Sequence, residues 1–488
     1  MTRPRMARDL LARLASLVAL VALAPLAPLA FLAPLAGCVA EDATADAPVP
    51  ALSQALTAHV RTDAVVDAIE AANAGLDPAL RAEKFAAMQA SPFAFFRGSN
   101  HLYWQDLGVL PALQTYGGRT GTRTWLSGDM HVDNMGSFDD SQGTVVYALN
   151  DVDQAILGDY QLDVWRLAVS IALVARANGG FSGADQAEAL DAFSEAYLDA
   201  MADFAGSDDE RTHALTKSNA HGKLDEFLDE VTDDNSRKSM LDAWTVKRSG
   251  KRVLAVDTHP DLTAVSAAVD ADLRAAMPAY RATLTSVGVA SASFYQVKSV
   301  ARRLHAGLGS LGVDRFYVLI EGASASQDDD RILDVKAQPR PAAYDHTNPA
   351  DVSATEATSA NDHARRVVLA HQALGARVDP LLGWMGLADG QRYSVRERSP
   401  WKDTFPTEDL TSLTRLTKLA EQWGEVLAAH HARADRDWNA AVQPHAVDDT
   451  IDALTDGDHA GFRALVRAVA LPYADQVALD HQSFLDAW

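Results

Sequence analysis

Residues 122–153 read TRTWLSGDMHVDNMGSFDDSQGTVVYALNDVD, and two β-rich runs within them, Thr122 to Leu126 and Val145 to Leu149, each end in an acidic turn. Runs of β-branched and aromatic residues bounded by Gly, Asn and Asp are predicted strands, so both turns carry their polar groups at strand ends. Those groups follow the order Asp129-x4-Asn134, strand, Asp151. Phosphoryl transfer needs one carboxylate to accept a hydroxyl proton, and an amide oxygen with a second carboxylate to hold Mg²⁺ against the phosphates. Hard oxygen ligands suit that ion. Asp129 is the candidate base, Asn134 and Asp151 are the candidate metal ligands, and His131 is expected to fix the loop by hydrogen bonds. The bland alternative is an Asx-rich turn at 128–134 and a helix N-cap at Asp151 to Asp153, since both compositions are common in loops.

A second constellation lies downstream. Gly307-Leu-Gly309-Ser-Leu-Gly312 precedes a predicted strand at Phe316 to Ile320, an acidic tip at Gln327 to Asp330, and a strand at Ile332 to Val335 that runs into Lys336. By itself the glycine pattern is also that of a plain hairpin turn. A dinucleotide-binding fold is excluded because a strand, not a helix, follows the glycines.

GDMHVDN followed by LNDVDQAILGDYQLD is similar to the aminoglycoside and choline phosphotransferase pattern of Gly-Asp-x-His-x-x-Asn, a hydrophobic-Asp turn, then Gly-Asp and a further Asp. Strand, turn, strand and Lys after the glycines resemble the protein-kinase Gly-rich loop, whose backbone covers nucleotide phosphates while the Lys reaches them. In order, FAFFRGS, SGDMHVDNMGSF, NDVDQAILGDYQLDVWRLAVSI, GLGSLGVDRFYVLIEG, ILDVKAQ, YSVRER and WGEVLAAHHARAD also resemble a bacterial family catalogued as domain of unknown function 2252, over about Ser91 to Asp435. These resemblances imply an α+β, two-lobed protein-kinase-like fold. Its lobes would stand in circularly permuted order, because the Gly-rich loop and Lys336 follow the catalytic loop here.

The same resemblances imply ATP or another nucleotide with Mg as cofactors, with Gly307, Gly309, Gly312 and Lys336 binding the nucleotide. A phosphoryl or nucleotidyl group would pass to a hydroxyl on a small molecule or a protein. Asp163 would brace the catalytic loop, and Asp153 is a supporting candidate in the Asp151 turn. For the partner of Lys336, Glu356 and Gln372 both remain candidates. Two other functions stand beside this one: a non-catalytic kinase-like binding lipoprotein, and a metal-dependent phosphoester hydrolase. The hydrolase requires an upstream Asp-x-His and a downstream Gly-Asn-His, and neither occurs.

Other polar residues have ordinary readings beside functional ones. Arg97 in FFRGS either approaches a phosphate or packs on aromatics and pairs with a carboxylate. Arg396 and Lys402 either read an anionic substrate or form a solvated face. His430 and His431 are neighbours on a predicted helix, so they do not share one face for a metal, and His431 is expected to orient the core or the site rim.

The chain of 488 residues carries 43 basic and 66 acidic side chains, a net charge of −23. Nucleic-acid affinity rests on Lys and Arg neutralising phosphates, so this balance excludes nucleic acid as a partner. Anionic lipid heads are repelled too, and membrane attachment would need a dedicated anchor. Arg3, Arg5, Arg8 and Arg13 precede an uncharged run, Leu14 to Ala36, that closes in Leu35-Ala36-Gly37-Cys38. That ending resembles the bacterial lipobox, which implies an exported, membrane-anchored lipoprotein facing the periplasm or cell surface and lipidated at Cys38. The alternative is an uncleaved membrane helix. Cys38 is the only cysteine, so no intramolecular disulfide forms.

The expected organisation is a signal peptide at 1–37, a tether at 38–55 and a kinase-like domain at 56–488. Within the domain, catalytic and metal loops fall at 122–170 and a charged helical insert or lid at 206–260. The Gly-rich loop and Lys strand follow at 294–340, and a helical region at 361–488.

Overall fold

The computed structural model describes residues 58–285, 293–305, 307–324 and 326–488, and the fold is α+β. Cys38, the apolar run before it and the tether lie outside the described residues.

Four short strands frame the acidic turns: β1 (Arg123–Leu126), β2 (Met135–Asp139), β3 (Val145–Leu149) and β4 (Ile156–Asp159). β1 pairs antiparallel with β4, with Leu126 opposite Ile156, so the chain leaves β1 and enters β4 at the same end of the ribbon. β2 and β3 form a hairpin whose base sets Met135 opposite Leu149. The Asn150 amide then donates to the Asn134 carbonyl at 2.8 Å. The hairpin therefore returns the chain from Asn134 to Asp151, which brings the two turns together.

Behind these strands stands the helix Gln161–Asn178, buried from Gln161 through Ala175. Its sequence is apolar on nearly every side, the pattern of a helix surrounded by protein. The helices Gly183–Phe204, Leu413–Arg433 and His459–Ala487 supply further side chains to the same core, among them Phe193, Trp423 and Phe462.

The second region is a six-stranded antiparallel sheet. A ribbon of β5 (Thr245–Arg248) and β6 (Lys251–Leu254) precedes it; its own strands are β7 (Leu262–Thr263), β8 (Val297–Arg303), β9 (Arg315–Ile320), β10 (Arg331–Ala337), β11 (Gly383–Gly386) and β12 (Arg392–Glu397). Their order across the sheet is β11-β12-β10-β9-β8-β7. Successive side chains of a strand point to opposite faces. Phe316, Val318, Leu333, Val335, Tyr393 and Val395 accordingly pack on one face with Leu273, Met277 and Tyr280 of the helix Ala267–Arg281. The opposite parity carries Tyr317, Leu319 and Ile332 against Leu241 and Trp244. At the strand ends, that same parity carries Arg315, Asp334, Lys336, Ser394 and Arg396.

The segment expected as a charged helical insert, 206–260, holds the helices Lys223–Asp234 and Arg237–Trp244, but also the β5–β6 ribbon. It is anchored by apolar side chains that its charge density hid: Leu224, Phe227, Leu228 and Val231 join the main core, and Trp244 lies under the sheet. No helix among the described residues is long and apolar enough to cross a membrane.

Candidate active site

Between the acidic turns and the polar end of the sheet lies a cavity of about 1000 Å³, lined by Asp129, His131, Asn134, Asp151 and Asp153 from one wall and Gly307, Gly309, Lys336 and Arg396 from the other. Lys336 and Asp153 form an ion pair although they stand 183 positions apart in sequence. The Lys336 ammonium is also 3.8 Å from Asp151 Oδ2.

The turn carrying Asp129 is held from behind. Asp163 Oδ2 accepts from the Ser127 amide at 2.6 Å, and Oδ1 from the Gly128 amide at 3.2 Å. Asn100 Nδ2 and Trp104 Nε1 both donate to the Gly128 carbonyl, at 2.9 and 2.8 Å. Gly128 has φ +74°, and a Cβ there would come within 2.0 Å of the Gln154 carbonyl oxygen. Only glycine satisfies both the left-handed backbone and that approach. Asp163 itself is buried, with His431 Nε2 3.7 Å away. His431 is bonded on its other side to Tyr197 Oη at 2.9 Å, so it supports the brace from the core and does not line the cavity.

Asp129 is paired with Arg166, whose Nε lies 2.8 Å from Oδ1. Burial nevertheless outweighs that guanidinium and pushes the carboxyl up to about 6, with Asp151 adding repulsion. His131 was expected to fix the loop by hydrogen bonds, but its Nδ1 is buried with no partner and its Nε2 stands 4.0 Å from Asp129 Oδ2. Burial holds the ring well below its usual range, and it packs edge-on against Phe93 instead. The bracing falls to the hydrogen bonds that the turn's backbone makes with Asp163, Asn100 and Trp104.

Asn134 Nδ2 donates to the Asp129 carbonyl at 2.7 Å, which orients the amide and leaves Oδ1 as the atom for a cation. For Asp151, burial favours the neutral acid, but Lys336, Arg396 and the Asp153 amide prevail and hold it well below the usual carboxylate range. An ionised carboxylate and an amide oxygen fit Mg²⁺, which is commonly held by one or two protein groups and completed by substrate phosphates. The two clusters of three acidic or imidazole side chains with ligand atoms within 4.8 Å of each other lie elsewhere among the described residues.

On the opposite wall, Gly307 has φ +92°, with open space where a Cβ would stand, and a Cβ on Gly309 would meet nothing nearer than the Arg97 carbonyl oxygen at 4.0 Å. Gly312, at φ +85°, turns away from the cavity and abuts Leu76. Lys336 faces Arg315 and Ser394 on the neighbouring strands, and the Arg315–Asp334 ion pair lies beside it. Its partner is Asp153, not Glu356 or Gln372; Asp153 Oδ1 also accepts from Gln338 Nε2 at 2.8 Å. Arg396 donates to the Asn150 carbonyl at 2.7 Å, tying the walls together, while Lys402 is exposed at the cavity edge.

Arg97 makes the ordinary contacts, bonding Asp133 at 2.6 Å and lying over the Phe93 ring, and it also lines the cavity. Two residues had no motif to announce them. Arg166 follows Asp163 on the core helix, and Lys84 enters the cavity from the helix Pro78–Met88. Burial pushes Lys84 down to about 8 against the pull of Asp129. A polar residue inside an otherwise apolar helix was the available signal for Arg166; for Lys84 there was none.

Fold and cleft together define an α+β protein with a half-buried acid pair on one wall and a glycine loop and lysine on the other. The family described as "Uncharacterized protein conserved in bacteria (DUF2252)" matches residues 76–487, and the chain belongs to it. Comparison with curated proteins and with solved structures finds no match.

Proposed function

We propose that the chain is a phosphotransferase that moves a phosphoryl or nucleotidyl group from a Mg-bound nucleotide to a hydroxylated acceptor. Its helical and sheet regions would then be kinase-like lobes in permuted order. The observation that carries this reading is the convergence of Lys336 on Asp151, at 3.8 Å, in one cavity with Asp129, Asn134 and Gly307. The sequence β8, glycine loop, β9, β10 with Lys336 also has the strand order in which a phosphate-covering loop and its lysine work together.

Asp129 accepts the acceptor's hydroxyl proton. Raised to about 6, it is ionised at neutral pH yet basic enough to take a proton in the transition state. Asn134 and Asp151 would hold Mg²⁺, which would neutralise charge on the phosphates. Lys336 would exchange Asp153 for a phosphate oxygen. Export and lipidation at Cys38 belong to the same proposal, and the acidic surface leaves the lipid as the sole membrane attachment.

The test is nucleotide binding with and without Mg²⁺, with turnover followed in the same sample, on protein lacking residues 1 to 38. Mg-dependent binding with transfer to an added hydroxyl compound supports the reading. Binding without turnover points to a binding lipoprotein, and phosphoester hydrolysis without nucleotide points to a hydrolase.

A further inference from the structure

Beside Arg433, whose Nε donates to the Glu210 carbonyl at 2.6 Å, the short turn Asp209–Arg211 meets the start of the helix Arg436–Asn439. Ligand oxygens of Asp208, Glu210 and Asp437 there lie within 4.8 Å of one another. Glu210 is only 1% exposed, and no other residue donates a hydrogen bond to either of its carboxylate oxygens; its own main-chain amide is the one donor that favours the anion. A buried carboxylate so poorly supplied with donors is costly, so its persistence calls for a counter-charge.

Protein cations supply it only in part. Glu210 and the buried guanidinium of Arg433 attract each other, but that guanidinium donates to three main-chain carbonyls, those of Glu210, Leu374 and His213, and not to the carboxylate. Arg211 faces Asp208 at 3.8 Å, but both side chains are more than half exposed. Two further buried acids, Asp435 and Asp448, deepen the negative field. Asp435 accepts from the Asp437 and Val447 amides, which fixes the Asp437 backbone in place. Burial and the charges of Asp448, Asp437 and Asp435 push Glu210 up to about 7, a repulsion that a bound cation relieves.

We propose that Asp208, Glu210 and Asp437 form a structural site for a hard divalent cation of the calcium type, separate from the cleft. All three donors are carboxylate oxygens, which excludes soft metals. Oxygens at about 2.4 Å from a common centre lie at most about 4.8 Å apart, the envelope seen here, and Ca²⁺ tolerates the irregular geometry of a loop-and-helix site. The ion joins the segment after the helix Gly183–Phe204 to the segment after Leu413–Arg433.

The probes are Ca²⁺, added to chelator-treated protein during thermal unfolding, and Tb³⁺ luminescence sensitised by Trp438, the residue next to Asp437. Wild type should gain about 2 °C or more at millimolar Ca²⁺ and give a Tb³⁺ signal that Ca²⁺ displaces. Glu210→Gln should lose both responses. Asp437→Asn, at a partly exposed position, keeps the question open to measurement if Glu210→Gln fails to fold, and it should weaken Ca²⁺ binding at least tenfold. Asp151→Asn should retain both responses, which separates this site from the cleft. Absence of any wild-type response, or an undiminished response in both Glu210→Gln and Asp437→Asn, overturns the proposal and leaves Glu210 a buried neutral acid.

Discussion

The two walls of the cleft place their charges by different means. On the acidic wall, Asp129 and Asn134 sit in a turn whose backbone is clamped by Asp163, Asn100 and Trp104, all buried. On the basic wall, Lys336, Arg315 and Arg396 are positioned by strand alternation and register, and Lys336 and Arg315 each rest on a carboxylate, Asp153 and Asp334. A clamped turn has no slack, whereas an ion pair at a cavity surface can exchange partners. Changes on the acidic wall should therefore cost chemistry or folding, and changes on the basic wall should cost affinity.

The sharpest test of that contrast is Asp129→Asn. Turnover should fall about a hundredfold or more, the scale for losing a positioned base, while Mg-nucleotide affinity changes little. Equal loss of metal binding in Asp129→Asn and Asp151→Asn, measured by titration calorimetry, would mean that both carboxylates share a metal cluster instead.

Asp163→Ala should reveal the clamp itself. It leaves the buried Ser127 and Gly128 amides without acceptors, and unfolding free energy should fall by about 2–4 kcal/mol in urea titrations. A loss under about 1 kcal/mol would show that the turn is held by its glycine geometry alone.

For Lys336→Met, nucleotide affinity should fall about tenfold to a hundredfold, the range for one charge-assisted hydrogen bond, with folding largely kept. A failure to fold would place Lys336 among the structural residues and erase the difference between the walls.

Acidity gives opposite signs to activity and stability. With Asp129 raised to about 6, turnover should drop about tenfold per unit as pH falls below that value, because the base becomes protonated. Folding stability should move the other way for this group. Its native carboxyl binds the proton more tightly than the unfolded one, so Asp129 favours folding increasingly as pH falls from about 6 toward the ordinary carboxylate range. The acid limb should vanish in Asp129→Asn, read from rate profiles of both proteins.

The smallest effect belongs to Arg97→Ala. Its pair with Asp133 is partly exposed, and such pairs contribute about 1 kcal/mol or less, with turnover unchanged. A large loss of turnover would return Arg97 to the substrate-binding group.

Much of this arrangement was legible in the sequence because it depends on short-range pattern. The β-rich runs 316–320 and 332–335 marked the strands that lead into Lys336, and the Gly-Asp turn after Trp125-Leu126 marked the acidic loop. The ordered motifs, through the resemblances they carry, marked the α+β class and the family. Tertiary structure alone decided that Lys336 rests on Asp153, that Arg166 holds Asp129, that Gly312 packs on Leu76 away from the cavity, and that 206–260 is tied into two cores. The physical reason is range. Periodicity and turn chemistry act over a few residues, whereas an ion pair between positions 153 and 336 depends on sheet register and on how two separately built regions meet.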